Sequence, residues 1–190
     1  KANATYTAGA AESGSITLTL TTTGSSCTPV TATKNITVNA NPTAIASTST
    51  GTVCEDATIS LTGGASGGSG GGYSYSWSGP SSYSSSDQSP TISADATTAM
   101  AGSYLLTVTD GNTCSSASSS TSITVNQNPT ANAGDVMSAI CQGATSAVMN
   151  GSTAGGATGG TWSGGAGSWT NATDKANATY TAGAAESGSI

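Results

Sequence analysis

The feature that most constrains the fold of this chain is an exact internal repeat. Residues 1–16 and residues 175–190 both read KANATYTAGAAESGSI, so the sequence recurs at an offset of 174 positions. An identity of this length does not arise by chance in a chain of 190 residues. Because fixed-period repeats are typical of arrays of similar structural units, the sequence predicts a stretch of a longer tandem array.

A weaker repeat divides this period into two halves. The motif NPTA at residues 41–44 recurs at residues 128–131, which is 87 positions later. Cys54 recurs as Cys141 at the same offset, and the motif ITVN occurs at both 36–39 and 123–126. Two related modules therefore alternate, each with the length of one small sandwich domain.

The Asn-Pro step predicts the boundary between modules, because proline cannot donate to a sheet ladder and holds the residue before it extended. Residues 41–127 then form one complete module. Residues 1–40 are the C-terminal part of a module from the preceding copy. Residues 128–190 are the N-terminal part of the next one, with 175–190 repeating 1–16.

Short runs with apolar residues at every second position predict β-strands. The runs are Ile59–Leu61, Tyr73–Trp77, Tyr104–Val108 and Ile123–Val125 in the complete module, and Ile16–Leu20, Ile36–Val38 and the stretches around Val148 and Trp162 in the partial ones. The sequence predicts an all-β fold of tandem β-sandwich domains. The residues expected in the core are Trp77, Tyr104, Leu106, Val108 and Trp162.

Charge and composition exclude several functions. Only 6% of the residues are charged, there are three Lys and no Arg or His, and the net charge is -6. Nucleic-acid binding needs a basic surface, and no apolar run is long enough to insert into a membrane. Without His, the usual nucleophilic triads and most zinc sites are excluded, so we expect no enzyme and no catalytic residues. The adjacent Glu55 and Asp56 point to opposite faces of a strand and are poorly placed for paired acid chemistry.

The four cysteines predict disulfides if the protein is secreted. Cys54 and Cys114 lie in the same complete module, and we expect them to form one bond within it. Cys27 and Cys141 belong to different copies of the other module, so each is expected to pair with an adjacent copy. Buried free thiols are the alternative for all four.

No cofactor is expected, and the alternative is a calcium site at one end of the complete module. Asp110 and Asn112 flank a predicted hairpin turn, and Glu55 and Asp56 lie near the same end if the Cys54–Cys114 bond joins it. Carboxylate and amide oxygens suit calcium. The alternative is that Asp-Gly-Asn is only a turn that favours positive φ.

The complete module resembles the immunoglobulin-like and PKD-like repeats of bacterial surface proteins. Residues 75–80 (YSWSGP) look like the third strand of such domains, with Trp77 directed inward. Residues 101–110 (AGSYLLTVTD) look like the penultimate strand, with Tyr104 at the tyrosine-corner position. Leu106 stands where antibody domains carry a cysteine. The whole chain resembles the repeats of giant Bacteroidetes-type cell-surface adhesins, such as the mobile adhesins of gliding species.

This resemblance implies a structural or adhesive segment of a long extracellular filament or cell-surface stalk. The expected partners are further copies of the same repeat, and surfaces or polysaccharide at the point of adhesion. Two alternatives remain open. One is a polysaccharide-binding module that uses exposed aromatics such as Tyr73 or Tyr83, and the other is a fibre subunit polymerised by strand donation.

Overall fold

The computed structural model describes residues 3–24 and 26–188. Its internal contacts divide the chain into two compact units, residues 1–125 and residues 126–190. The three predicted segments, 1–40, 41–127 and 128–190, are not tested by this division and stay a prediction.

Strands account for nearly all the regular structure of the described residues, so the predicted all-β fold is confirmed. Two one-turn 3-10 helices, Pro80–Ser82 and Thr98–Met100, interrupt the strands. Among the residues described, no helix is long and apolar enough to cross a membrane. The strands are β1 Gly14–Thr21, β2 Thr31–Val38, β3 Pro42–Thr48, β4 Thr52–Cys54, β5 Ile59–Gly67, β6 Tyr73–Ser78, β7 Ser84–Ser85, β8 Thr91–Ser93, β9 Gly102–Asp110, β10 Ser119–Asn126, β11 Thr130–Asn132, β12 Ser152–Ala154, β13 Ser168–Thr170 and β14 Thr179–Thr181.

The first two strands form an antiparallel hairpin with two different faces. Residues that pair directly, such as Ile16 with Ile36, share one face because side chains alternate along each strand. The apolar face carries Ile16, Leu18, Leu20, Ala32, Ile36 and Val38, with Lys34 opposite Leu18. The other face carries only Ser, Thr and Asn, and there the Thr17 hydroxyl lies 2.9 Å from the Asn35 amide oxygen. Alternation alone therefore produces an amphipathic hairpin.

Strands β3 to β10 form a sandwich of two sheets. One sheet has the order β3-β5-β8 and the other the order β4-β10-β9-β6-β7. Along β9, every second residue from Tyr104 to Asp110 is buried, so the sequence alternation becomes a core face. The buried apolar residues form one cluster, consisting of Ala44, Ile59, Leu61, Trp77, Ala96, Tyr104, Leu106, Val108, Ile123 and Val125.

Trp77 lies at the centre of this core and is 1% exposed. It packs against β5 at Gly63, where an added Cβ would lie 3.3 Å from both Trp77 Cζ2 and Leu106 Cδ2. The indole N–H of Trp77 donates to the Gln88 carbonyl at 3.4 Å, and the Gly63 N–H donates to the same oxygen at 2.9 Å. Apolar packing of Leu106 against Trp77 therefore occupies the place that a cysteine takes in antibody domains.

Tyr104 forms a tyrosine corner at the start of β9. Its hydroxyl donates to the Met100 carbonyl at 2.8 Å, and its ring meets Tyr83 edge-on with centroids 5.6 Å apart. Gly79 lies so close that a Cβ there would be 2.4 Å from the Tyr104 ring, which explains the glycine. Two facing sheets, a buried tryptophan on β6 and a tyrosine corner define an immunoglobulin-like β-sandwich.

The second unit has shorter strands and a smaller core. Its sheets are the two-stranded pairs β11-β12 and β13-β14, and its buried apolar residues are Met149, Ala178 and Tyr180. The strands predicted around Val148 and Trp162 are wrong, since neither residue lies in a strand of the described structure. The physical reason is pairing: in the sandwich, β6 is hydrogen-bonded to β9, and the strands described in the second unit include no such neighbour for Trp162.

The second unit nevertheless repeats the contacts of the sandwich centre around Trp162. The indole N–H of Trp162 donates to the Lys175 carbonyl at 3.1 Å, and the Gly151 N–H donates to the same oxygen at 2.9 Å. A Cβ added to Gly151 would lie 2.5 Å from Trp162 Cζ2. These contacts are the counterparts of those made by Trp77, yet Trp162 is only half-buried.

Candidate functional site

An open apolar groove of about 810 Å³ runs along the second unit. Trp162, Trp169 and Tyr180 line one part of it, and Val136 and Ile140 line another. Val136 is fully exposed and Ile140 is 38% exposed. In a chain with so few large apolar residues, their concentration in one groove indicates a surface that another element covers.

Aromatic rings form a continuous wall of this groove. Trp162 and Trp169 are stacked, with centroids 5.8 Å apart and planes inclined by 15°. Trp169 in turn meets Tyr180 with centroids 5.0 Å apart. Because Tyr180 is 1% exposed and belongs to the small core with Met149, the wall is anchored in the folded part of the unit.

A tyrosine–glutamate turn closes the C-terminal side of the groove. The Tyr180 hydroxyl donates to Glu186 Oε2 at 2.5 Å, and the Gly183 N–H donates to the same oxygen at 2.9 Å. The Ala166 N–H donates to Glu186 Oε1 at 2.8 Å. The Tyr180 bond is the main reason that the pKa of Glu186 is lowered, while burial and then the Glu186 bond raise the pKa of Tyr180. Glu186 is therefore held as a carboxylate that fixes the turn.

The identical sequence in the first unit forms the same turn in a different environment. The Tyr6 hydroxyl donates to Glu12 Oε2 at 2.5 Å, and the Gly9 N–H donates to that oxygen at 2.9 Å. Tyr6 is 40% exposed, whereas Tyr180 is buried against Trp169. The turn is thus a property of the local sequence, and its packing is a property of its surroundings.

Asp110 is a buried acidic group of the sandwich. It is 5% exposed, and its Oδ2 accepts the N–H groups of Ser69 at 3.1 Å and Gly70 at 3.2 Å. Its Oδ1 accepts the N–H groups of Asn112 and Cys114, both at 3.0 Å. Burial raises the pKa of Asp110, but the four backbone bonds outweigh burial and the net pKa is lowered. Asp110 therefore acts as an ionised anchor for two loops.

The four residues considered for calcium do not form one site. Asp110 ends β9 and Asn112 follows it at one end of the sandwich, whereas Glu55 and Asp56 precede β5 at the other end. Both oxygens of Asp110 already face N–H donors, which disfavour a cation there. Among the residues that the structure describes, no three acidic or cysteine side chains are grouped for a metal.

The disulfide predicted between Cys54 and Cys114 is wrong. Both are free thiols, and they lie at opposite ends of β5. Cys54 is the last residue of β4, and a short turn joins it to the start of β5. The Cys114 N–H donates to Asp110, which also accepts the N–H of Ser69 just after β5 ends. Strand β5 has 9 residues and spans roughly 26 Å at about 3.3 Å per residue. A disulfide needs Cα atoms within about 7 Å.

The second unit contains the counterpart of the Cys54 turn. The Ala144 N–H donates to the Cys141 carbonyl at 3.0 Å, as the Ala57 N–H donates to the Cys54 carbonyl at 3.3 Å. Cys27 lies between β1 and β2 in the first unit. The bonds predicted from Cys27 and Cys141 to adjacent copies need a second chain and stay predictions.

The two tyrosines suggested for sugar stacking are engaged within the sandwich. The Tyr73 hydroxyl donates to the Gly67 carbonyl at 2.7 Å, and Tyr73 is 37% exposed. Tyr83 is half-buried against the edge of Tyr104. Both tyrosines therefore make contacts within the sandwich that hold them in place.

Sequence reasoning missed the groove and the Tyr180–Glu186 turn that borders it. The signal was present in the exact repeat, because Tyr6 and Glu12 recur as Tyr180 and Glu186. The hydrogen bond joins a tyrosine to a glutamate six residues later, outside any strand. The alternation of apolar residues, which predicts strands, therefore gives no sign of it.

Comparison with known proteins adds little to this geometry. No protein-family model matches the sequence, and no curated protein matches it. Among solved structures, the chain is similar to an amphioxus IgVJ-C2 molecule, with 18% identity and a TM-score of 0.39. The similarity covers 59% of this chain and 60% of that one, so it spans less than two thirds of either. The strand order, the buried Trp77 and the Tyr104 corner of the first unit themselves define the immunoglobulin-like sandwich.

Proposed function

We propose that this chain is a structural and adhesive segment of a long extracellular filament or cell-surface stalk, built from immunoglobulin-like modules in tandem. The observation that carries the proposal is the repeat. The sequence recurs at an offset of 174 residues, and the contacts around Trp77 recur around Trp162 in the other half of that period. A chain that uses one scaffold repeatedly, and whose described residues hold no group of three acidic or cysteine side chains that could bind a metal ion, suits a spacer between distant points.

The strand order suits a module that bears tension between its ends. Strand β4, near the start of the sandwich, lies beside β10, its last strand, in one sheet. The Thr124 N–H donates to the Gly51 carbonyl at 2.8 Å. Force applied to residues 41 and 127 passes through β3 and β10, and it loads the hydrogen bonds between β4 and β10 where it reaches β4. Because no disulfide joins Cys54 and Cys114, resistance to unfolding comes from these bonds and the apolar core.

The surface chemistry supports a location outside the cell. The chain has only three basic residues and a net charge of -6, and most of its polar surface is Ser and Thr. Such a surface has little attraction for nucleic acid or anionic membranes. We propose that the filament resembles the giant adhesins of gliding bacteria in architecture, with further copies of the repeat as its partners.

Single-molecule pulling tests the proposal on a polypeptide with three consecutive copies of the 174-residue repeat. Each 87-residue module should release about 300 Å of extended chain on unfolding, less about 40 Å of folded length. We expect a series of force peaks about 260 Å apart, unchanged by a reducing agent. Extension without recurring peaks would refute a stalk of independently folded modules.

A further inference from the structure

Hairpin β1–β2 is similar in sequence to the last two strands of the sandwich. Residues 14–20 (GSITLTL) align with residues 102–108 (GSYLLTV), which places Leu18 at the position of Leu106. The second strands of the two hairpins share the motif ITVN. The pairing registers differ by two residues, because Ile36 pairs with Ile16 whereas Ile123 pairs with Gly102, but the same side of each hairpin stays apolar. The hairpin therefore has the pattern of a core-forming strand pair.

Equivalent positions of the two hairpins differ in burial. Leu106 and Val108 are 0% exposed, because β9 lies in the middle of its sheet and faces the other one. Leu20 is 73% exposed and Ile36 is 42% exposed, while Leu18 is half-buried. In the described structure, hairpin β1–β2 thus leaves partly open to solvent the face that its counterpart buries.

The second unit has an aromatic surface on which no described strand packs. In the sandwich, Trp77 on β6 pairs across the sheet with Leu106 on β9. Trp162 repeats the other contacts of Trp77 but borders the groove and is only half-buried. The groove therefore corresponds to the place where the sandwich holds Leu106 and β9.

The exact repeat fixes where a hairpin would enter this groove. In the first unit, the Tyr6–Glu12 turn leads to β1, which begins at Gly14. In the second unit, the identical Tyr180–Glu186 turn leads to Gly188, which lines the groove. A strand that follows this turn as β1 follows its own begins at the rim of the groove.

We propose that hairpin β1–β2 of one copy of this chain binds in the groove of the second unit of another copy. Leu18 of the bound hairpin then lies opposite Trp162, as Leu106 lies opposite Trp77. The inference rests on the proposed array of modules, and it names the segment and the surface by which successive copies join. Since each copy carries one hairpin and one groove, association is head to tail and continues beyond a dimer.

Binding in this arrangement needs no disulfide. Cys141 corresponds to Cys54, and Cys27 of the bound hairpin corresponds to Cys114. Because Cys54 and Cys114 lie at opposite ends of the sandwich, Cys27 and Cys141 would also lie far apart. The disulfide predicted between copies is therefore not expected at this joint, and association should be equal with and without a reducing agent.

Sedimentation velocity of the full 190-residue chain over a wide concentration range tests the proposal with two matched variants. Leu18→Asp introduces a charge on the apolar face, and Thr19→Asp introduces the same charge on the polar face of the same strand. We expect the native chain and Thr19→Asp to form species larger than dimers. Leu18→Asp should need at least about tenfold higher concentration, because it buries an unpaired charge in the joint. Equal association of both variants, or a native chain that stays monomeric, would overturn the proposal.

A second measurement remains decisive if Leu18→Asp disturbs the hairpin itself. The chain is extended at its C terminus by a copy of residues 17–40, which gives the second unit a hairpin of its own. We expect the extended chain to stay monomeric, with tryptophan emission shifted to shorter wavelength as Trp162 becomes buried. Association of the extended chain equal to that of the native chain would also refute the proposal. If the pulling experiment shows regular force peaks while the native chain stays monomeric, the proposed stalk is supported and only the proposed exchange of hairpins is refuted.

Discussion

Replacing Leu106 by alanine tests the conclusion that its packing against Trp77 stabilises the centre of the sandwich, where antibody domains have a disulfide. Leu106 is 0% exposed, and the rigid Trp77 ring limits how far the site can collapse. Leucine-to-alanine changes in cores cost about 2–5 kcal/mol, and we expect roughly 3 kcal/mol here. That is a large fraction of the roughly 5–15 kcal/mol that holds a domain folded. The neighbouring Leu105 is 41% exposed on the outer face of β9, so Leu105→Ala should cost less than about 1 kcal/mol.

Hydrogen exchange followed by mass spectrometry in the intact chain separates these two outcomes. Peptides that cover β6 and β9 report the opening of the sandwich alone. A loss of roughly 3 kcal/mol corresponds to exchange on the order of 100-fold faster for the most protected amides of Leu106→Ala. Leu105→Ala should change exchange by less than about fivefold. Equal acceleration in both variants would show that the Leu106–Trp77 contact does not hold the two sheets together.

Three further predictions concern the sandwich. Gly63→Ala should strongly destabilise it, because the new Cβ would lie 2.7 Å from a backbone oxygen, whereas Gly71→Ala meets nothing within 4 Å; urea unfolding compares the two. Asp110 has a lowered pKa, so its contribution is complete well above pH 3.8 and is lost as the pH falls through its folded pKa. Asp110→Asn should therefore be less stable near neutral pH and lose less stability on acidification, and a parallel pH dependence in both proteins would contradict this. Finally, a Cys54→Ser, Cys114→Ser double variant should have the same Tm as the native protein when no reducing agent is present, because both thiols are free. A clearly lower Tm would show that the native protein does contain the disulfide.

Much of the sandwich could be predicted from alternation and a few marker residues. The runs at Ile59–Leu61, Tyr73–Trp77, Tyr104–Val108 and Ile123–Val125 all lie within strands. Alternation succeeds there because each strand has one face in the core and one in solvent. The same reasoning failed around Trp162, since a strand also needs a hydrogen-bonded neighbour, and the sequence of one segment does not say whether that neighbour is in place.

The cysteine pair shows the other limit of sequence reasoning. Equal spacing in both modules indicated a common role, but spacing along the chain does not measure distance in space. The length of β5 places Cys54 and Cys114 at opposite ends, and the same geometry separates Glu55 and Asp56 from Asp110.

The sequence by itself determined the repeat and the all-β class, because these depend on strict periodicity. It also determined the turn shared by Tyr6–Glu12 and Tyr180–Glu186, which forms between neighbours close along the chain although alternation did not reveal it. Only the tertiary structure decided which thiols and carboxylates meet, and that hairpin β1–β2 and the groove beside Trp162 both present apolar faces to solvent. Burial depends on contacts between segments far apart along the chain. For that reason, one 16-residue sequence holds Tyr180 in a core in one unit and leaves Tyr6 exposed in the other.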